Sequence, residues 1–325
     1  MARPCLPALR LMLLATLGIF SQAVNAQYPD KPIRLIVPQA AGSNTDIVAR
    51  ALAVELTAVL GQPLLIDNRP GAGLIIGLEI ASKAAPDGYT LCMSPIGALA
   101  ISPHMFDKLP YVVERDFQPI SQLTNNPLML AVFAALPVNS AREIVEYAKK
   151  NPGKLSFASS TAGSPGHLAG ELLRIVSGGL IEHIPYKGGA PAIADMLAGR
   201  VQIMFEGMNS MAPHVKGGRL RGIAVTAEKR IAAFPDLPTM AESGLQGFDI
   251  SAWQGMVAPA GIARPLLDRI NAAVNRAVAT PNFKNRMAEM GSEATGGTPE
   301  AFAALIKRDS DRWGEVIRKA GIKAN

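Results

Sequence analysis

The sequence predicts an α/β fold of two lobes, each built from a sheet covered by helices. Short apolar runs of strand length alternate along the chain with stretches whose apolar residues recur at helical spacing. This alternation favours parallel sheets. A chain of this length commonly divides into two domains. Two stretches that contain Pro and Gly, near 122–130 and 242–255, are the candidate crossings between them.

The first 26 residues have the pattern of a secretory signal. Arg3 and Arg10 accompany the apolar run "LMLLATLGIF", and small residues end at Ala26, where cleavage is expected. A membrane anchor needs roughly 20 apolar residues, and this run is shorter. We therefore expect an exported protein whose mature chain begins near Gln27.

The apolar pattern indicates the order of the elements. Strand candidates include "IRLIVP", "PLLID", "YTLCMS", "PLMLAVF", "LSFAS", "IEHIP", "VQIMF" and "LRGIAVT". A helical pattern separates most of them. From Pro265 onward the chain reads as nearly continuous helix, and Thr298 followed by Pro299 predicts the start of the last one.

The two candidate crossings predict a discontinuous first lobe. Residues 1–26 are the expected signal peptide, 27–125 together with 250–325 form the first lobe, and 126–249 form an inserted second lobe. Two lobes joined by two crossings can open and close like a hinge. Trp253, beside the second crossing, fits either hinge packing or a wall of the ligand site.

Composition excludes several classes of function. Without Arg3 and Arg10 the net charge is +4, and no basic–aromatic stripe predicts nucleic-acid binding. Cys5 leaves with the signal, so Cys92 has no partner for a disulfide. The histidines lack metal-ligand spacing. We expect no metal ion and no cofactor; the histidines are His104, His167, His183 and His214.

Two strand-to-helix connections share one design. "IVPQAAGSNTD", residues 36–46, and "LSFASSTAGSPGHLAGELL", residues 155–173, each pass from an apolar strand through small residues into a helix. Helix starts carry unpaired N–H groups and partial positive charge that favour a carboxylate. Either connection alone fits an ordinary turn with an N-cap, and Asp46 fits a capping role. Two of them, one in each lobe, favour a clamp around a small anion.

Motifs along the whole mature chain carry a family resemblance. The stretches "YPDKPIRLIVPQAAGSNTDIVAR", "LGQPLLIDNRPGAG", "APDGYTL", "PGKLSFASS", "HIPYKGGAPAIADMLAGRVQIMF" and "WQGMVAPAG" resemble the periplasmic solute-binding proteins of the tripartite tricarboxylate transporter family, also called Bug proteins. The resemblance implies a periplasmic-binding-protein fold of type II. It also implies a periplasmic protein whose two lobes close on an organic acid or acidic amino acid and deliver it to membrane transporter subunits.

The resemblance also implies the ligand contacts. The first loop would contribute Ala41, Gly42, Ser43, Asn44 and Asp46, and the second Ser160, Thr161, Ala162, Gly163, Ser164 and His167. Lys187 fits either a counter-charge in the cleft or a solvated lysine. Glu206 fits either an acceptor for a ligand or a solvated or capping acid.

Three departures from the family pattern bear on the ligand. The usual first loop is "AAGGPTD", so Ser43 and Asn44 are departures that change which loop atoms can reach a ligand. Gln39 stands where an aromatic residue is common. Leu74 and Ile75 replace the usual Gly-Asn and make that edge more apolar.

Two alternatives to a transport protein have different sequence support. A serine hydrolase could use Ser43 or Ser164 with His167 and Asp46, but no G-x-S-x-G elbow is present. We therefore expect no enzyme. A ligand sensor that feeds a signalling receptor would have the same fold, so the sequence does not separate it from a transport protein.

The glycine-rich stretch "GAGLIIG" does not predict a nucleotide site, because its glycines lack the spacing of a dinucleotide-binding loop. A monomer is expected, although the sequence does not determine the oligomeric state.

Overall fold

The computed structural model describes residues 28–161, 163–186, 188–231 and 234–323. The expected signal peptide and two site candidates, Ala162 and Lys187, lie outside these residues. Within the described ranges, no helix is long and apolar enough to span a bilayer.

In the described part of the chain, eleven strands form two sheets. They are β1 Ile33–Val37, β2 Leu64–Asn68, β3 Thr90–Pro95, β4 Phe117–Asn125, β5 Leu128–Phe133, β6 Leu155–Ser159, β7 Ile181–Pro185, β8 Ile203–Gly207, β9 Leu220–Val225, β10 Gln254–Pro259 and β11 Glu293–Ala294. The first sheet has the order β11-β4-β10-β3-β1-β2, and the second has the order β7-β6-β8-β5-β9. The chain therefore leaves the first sheet after β4, builds the second sheet, and returns at β10.

Helices cover the sheets. They are α1 Asn44–Leu60, α2 Ile75–Ser82, α3 Ser102–Met105, α4 Val113–Asp116, α5 Ala141–Lys150, α6 Pro165–Val176, α7 Gly189–Leu197, α8 Met208–Lys216, α9 Arg264–Val278, α10 Pro281–Glu289 and α11 Pro299–Ala320. A 3-10 turn, Ala72–Leu74, precedes α2, and a π-helical turn, Gly97–Ile101, precedes α3. Thr298 caps α11 through its hydroxyl and Pro299 is the first helical residue, as the sequence predicts.

Both sheets are mixed, which corrects the expectation of parallel sheets. β1, β2 and β3 are parallel, but β10 runs antiparallel to both β3 and β4. In the second sheet β6, β7 and β8 are parallel, and β5 runs antiparallel to β8 and β9. The two antiparallel strands are the ones that follow a crossing. The chain enters the second sheet with β5 and returns to the first sheet with β10. The crossing direction therefore determines their orientation.

The two crossings lie side by side and are hydrogen-bonded to each other. The Asn126 backbone N–H donates to the Ser251 hydroxyl at 2.9 Å, and its side-chain amide donates to the Ala252 carbonyl at 2.9 Å. The Ala252 N–H donates back to the Asn126 carbonyl at 2.9 Å. The chain therefore passes between the sheets through one paired ribbon of two segments.

The last helix is hydrogen-bonded to the returning segment of this ribbon. The Trp253 indole N–H donates to the Asp309 carboxylate at 2.6 Å, with both side chains buried. Arg312 donates to the Asp249 carbonyl at 2.6 Å. Helix α11 also packs against α6 of the second lobe. Of the two interpretations of Trp253, the contacts support hinge packing, because its ring lies edge-on to Phe302 in a continuous core.

Candidate functional site

The parallel strands of the two sheets end facing the same gap. Pro95, at the end of β3, pairs with Gln254, which follows one crossing. Gly207, at the end of β8, pairs with Leu128, which follows the other crossing. The carboxyl ends of β1–β3 therefore point at the crossings from one side, and the carboxyl ends of β6–β8 point at them from the other. Ligands of open α/β sheets bind beyond such carboxyl ends.

The first predicted loop follows β1 and is folded around Gly42. Its φ of 80° lies in the left-handed region, which glycine adopts without strain. The Gly42 N–H donates to the Asp46 carboxylate at 2.8 Å. Ser43 is the N-cap of α1, and its hydroxyl accepts from the Asp46 N–H at 3.2 Å. The loop is therefore held by two bonds between its glycine–serine pair and Asp46.

The second predicted loop, after β6, repeats this arrangement around Gly163. Gly163 has φ 74°, and its N–H donates to Nδ1 of His167 at 2.9 Å. Ser164 is the N-cap of α6, and its hydroxyl accepts from the His167 N–H at 3.1 Å. Both lobes therefore present the same turn: a left-handed glycine, a capping serine, and an acceptor side chain four residues after the glycine.

The Asp46 carboxylate is bound by hydrogen-bond donors of its own lobe. Its side chain is 2% exposed, and its oxygens accept from Arg50 and from the Asn68 amide, both at 2.9 Å, besides Gly42. Burial alone would raise the pKa of this carboxyl, but the hydrogen bonds from Arg50, Gly42 and Asn68 hold the pKa below its usual range. An ionised, buried Asp46, paired with Arg50, therefore orders the loop.

The His167 ring is packed and hydrogen-bonded within its own lobe. It is 4% exposed, and its ring stacks on His183 with centroids 4.2 Å apart. Because its Nδ1 accepts a hydrogen bond, the neutral ring carries its proton on Nε2. His183 stacks in turn on Phe157, and its Nε2 lies 2.7 Å from the Ser159 hydroxyl. His167 thus accepts the Gly163 N–H at Nδ1, while its Nε2 lies 3.8 Å from the Glu171 carboxylate.

His167, Glu171 and His183 are the residues whose ligand atoms come together closely enough to suggest a metal, within 4.8 Å of one another in the described chain. The Nε2 proton of His167 blocks the lone pair that a metal needs. Arg174, at 2.7 Å from Glu171, adds a competing positive charge. The cluster fits a buried polar network better than a metal site.

The two loops differ in the donors that remain for a ligand. Asn44 and Thr45 begin α1, and the first N–H groups of a helix have no acceptor within it. Helix α6 begins with Pro165, which has no N–H to offer. The second loop instead presents the hydroxyl of half-buried Ser160, because the hydroxyl of exposed Thr161 already donates to the Ser160 carbonyl at 2.6 Å. The first loop is thus the richer source of backbone donors.

Ser160 and Glu206 lie together at the carboxyl ends of their strands. The Gly188 N–H donates to the Ser160 carbonyl at 2.7 Å. Gly189 begins α7 and lies close to both the Glu206 carboxylate and the Ser160 side chain. Glu206 itself accepts from the Gly207 N–H at 2.9 Å. Glu206 therefore borders the same gap as the second loop.

The lobes touch near the second loop. Met105 of the first lobe lies against Gly163, so closely that a side chain there would collide with its sulfur. Among the hydrogen bonds of the described residues, none joins the first loop, 40–46, directly to the second, 160–167. The structure brings the two loops to facing edges and leaves them unbonded to each other.

A cavity of about 980 Å³ lies on the other side of the crossings. Both lobes line it, with Trp253, Lys229, Lys284 and Arg308 among its residues. None of the predicted site residues within the described ranges lines it. Its cations are exposed and it lacks a capped helix start like those of the two loops, so the loops remain the better candidate for an anion site.

Three residues next to the loops were missed by sequence reasoning. Asn68 supports both Asp46 and the Gln39 carbonyl, which its amide reaches at 3.0 Å; its position at the end of β2, beside β1, was the available signal. Met105 had no sequence signal. Leu74 was noted only as a family departure, and its left-handed backbone, φ 81°, was not foreseen.

Comparison with known proteins gives a consistent family. Residues 48–322 match the tripartite tricarboxylate transporter family receptor. Protein BugT of Bordetella pertussis is 36% identical over 311 residues, which cover 95% of each chain.

Solved structures with the same fold include periplasmic binding protein BugD, at 35% identity and TM-score 0.71, covering 92% of this chain and 100% of that one. The Rhodopseudomonas palustris protein Rpa4515, solved with adipate, has 32% identity and TM-score 0.75, covering 91% and 99%. MatC from the same organism, solved with malate, has 30% identity and TM-score 0.72, covering 89% and 100%.

These likenesses agree with the two α/β lobes and with the motifs quoted from the sequence. The chain belongs to the tripartite tricarboxylate transporter receptor family of periplasmic solute-binding proteins.

Proposed function

We propose that the protein captures a small organic carboxylate, an organic acid or acidic amino acid, between its two lobes in the periplasm and delivers it to a tripartite tricarboxylate-type membrane transporter. The observation that carries the proposal is the repeated turn, a left-handed glycine followed by a capping serine, at the facing carboxyl ends of β1 and β6. Helix starts of this kind favour anions. Rpa4515 and MatC, solved with adipate and malate, support the class of ligand.

We assign the predicted residues two kinds of role. Ligand contact belongs to the exposed and half-buried groups: Ala41, Gly42, Ser43, Asn44, Ser160, Thr161, Gly163, Ser164 and Glu206. Asp46 and His167 position the two loops, because each is buried and holds the glycine of its own turn. Ala162 keeps the role that the family resemblance implies, and Lys187 is proposed as a counter-charge for the ligand.

The same geometry weighs against a serine hydrolase. A nucleophile needs a base within hydrogen-bond reach, but the Ser164 hydroxyl accepts from a backbone N–H and His167 Nδ1 is occupied by Gly163. A sensor role would use the same carboxylate site. Transport is therefore tested separately, by uptake of the bound acid in cells with and without the protein.

Capture of a carboxylate is tested by calorimetric titration and thermal shift with dicarboxylates, aromatic acids and acidic amino acids. An acid at about 100 times its dissociation constant should raise the unfolding midpoint by at least about 4 °C. The acid should be recovered unchanged. Asn44→Trp and Thr161→Trp, which leave both capping serines in place, should each weaken binding at least about tenfold by filling the gap.

Lys229→Trp is the matched control, since this exposed residue lines the cavity beyond the crossings. It should bind the acid like the wild type. A loss of binding in Lys229→Trp with normal binding in the other two variants would place the ligand in that cavity and refute the proposal.

Asp46→Asn tests the positioning role in the first lobe. An amide in place of the carboxylate sets an NH₂ group against the Gly42 N–H or the Asn68 amide. The free energy of unfolding should fall by about 1–3 kcal/mol, and ligand affinity should fall with it. Urea unfolding measures the free energy of unfolding, and calorimetric titration measures the ligand affinity.

The control is Asp268→Asn, which changes only an exposed pair with Arg264. It should alter the free energy of unfolding by less than about 0.5 kcal/mol. Equal effects of the two substitutions would contradict the assignment.

The stack of His183 on His167, which lies beneath the second loop, should make the stability of the protein sensitive to acid. Burial, and then the neighbouring His167, lowers the pKa of His183 to about 4. The unfolded chain, with its ordinary pKa near 6.5, takes up this proton first as the pH falls. The stabilisation is therefore complete above pH 6.5 and is lost between pH 6.5 and 4, by about 3 kcal/mol at most, because a pKa difference of one corresponds to about 1.4 kcal/mol.

His183→Gln should flatten this part of the stability profile, because glutamine does not titrate. Urea unfolding of both proteins between pH 7.5 and 4 measures the difference, in which the contributions of Glu171 and other shared carboxylates cancel. Parallel profiles for the two proteins would show that His183 is not held neutral in the folded state.

A further inference from the structure

A leucine occupies a backbone conformation that side chains avoid, beside the candidate site. Leu74 has φ 81° and ψ −6°, in the left-handed region, and Ala72 also has a positive φ. A bulky residue in this region is a genuine outlier, and such strain concentrates at functional sites. Leu74 is only partly buried and packs against the edge of the core, so burial offsets only part of this strain.

Contacts place Leu74 between the two loops. Gly77, in the helix that Leu74 caps, packs against Pro38, directly before the first loop. The Leu74 side chain lies over Gly97, the first residue of the π-helical turn after β3. That segment continues to Met105, which lies against Gly163 in the second loop. Leu74 and Met105 thus form one apolar surface that extends from one anion loop towards the other.

The surface continues along the start of α2. Ile75 is partly exposed and Ile76 is 42% exposed. Charged side chains are absent from the described segments 71–78 and 94–106, apart from the ionisable ring of His104, which lies 2.8 Å from Ser310 on the last helix. A ligand held by its carboxylate at the loops would therefore meet hydrocarbon on this side.

We infer that Leu74 and Met105 form a specificity wall that selects carboxylates with a bare hydrocarbon body over carboxylates of the same length that carry hydroxyl groups. The inference rests on the proposed function, since the loops must hold the carboxylate. A hydroxyl pressed against this wall loses its hydrogen bonds to water without gaining a partner. The left-handed backbone holds the Leu74 side chain in place over Gly97.

The test uses two six-carbon dicarboxylates of equal charge: adipate, whose four central carbons are bare, and galactarate, whose four central carbons carry hydroxyls. Calorimetric titration of the wild-type protein should give an affinity for adipate at least about tenfold higher than for galactarate. In Leu74→Gly and Leu74→Asn this ratio should fall at least about fivefold, mainly through weaker adipate binding.

These substitutions are also informative about folding. Glycine and asparagine adopt positive φ readily, so both variants should unfold at the wild-type temperature or above. Val54→Ala, which trims an apolar side chain that is 64% exposed on α1, should leave both the affinity ratio and the midpoint unchanged.

Three outcomes overturn the inference. One is a wild-type ratio near one or in favour of galactarate. Another is a ratio that Leu74→Gly and Leu74→Asn leave intact. The third is binding of malate with no binding of either six-carbon acid, which refutes the wall while the proposed function stands. Failure of every carboxylate to bind would refute the proposed function as well.

Discussion

The site depends on one hydrogen bond that is made twice: the N–H of a left-handed glycine donates to a buried acceptor four residues later, in the first turn of the following helix. In one lobe the pair is Gly42 and Asp46, and in the other Gly163 and His167. The bond closes each loop onto its helix, while a serine caps the helix start. The loops are therefore ordered without a ligand, which lowers the entropy cost of binding one. The acceptors differ in kind, so the first loop depends on a carboxylate and the second on an imidazole nitrogen.

The hinge and the site share the same strand ends. The crossings follow β4 and precede β10, and they are bonded to each other through Asn126 and Ala252. The buried bond between Trp253 and Asp309 attaches this ribbon to the last helix, which also packs against the second lobe. Motion between the lobes must therefore bend a short paired segment while that helix adjusts its packing on α6.

The sequence predicted the loops because their signal is local: an apolar strand, small residues and a helix start all lie within a dozen positions. Strands β4 and β10 were missed because Pro119 and Gly255 weaken the strand pattern, and their pairing joins residues far apart in the chain. The stack of His167 on His183 also depends on tertiary packing. The roles of Asp46 and His167 had a readable signal, the repeated Ala-Gly-Ser with a polar acceptor three residues after the serine. The backbone of Leu74 had none, since leucine rarely adopts a positive φ.

A crystal structure of the protein with adipate would test the central claim most directly. The account predicts one bound molecule in the gap between the facing strand ends, with carboxylate oxygens within about 3.2 Å of donors from both 41–45 and 160–164, and with Gly42 and Gly163 still bonded to Asp46 and His167. Adipate seated in the cavity beyond the crossings, or held by one loop alone with the other directed away from it, would contradict the account.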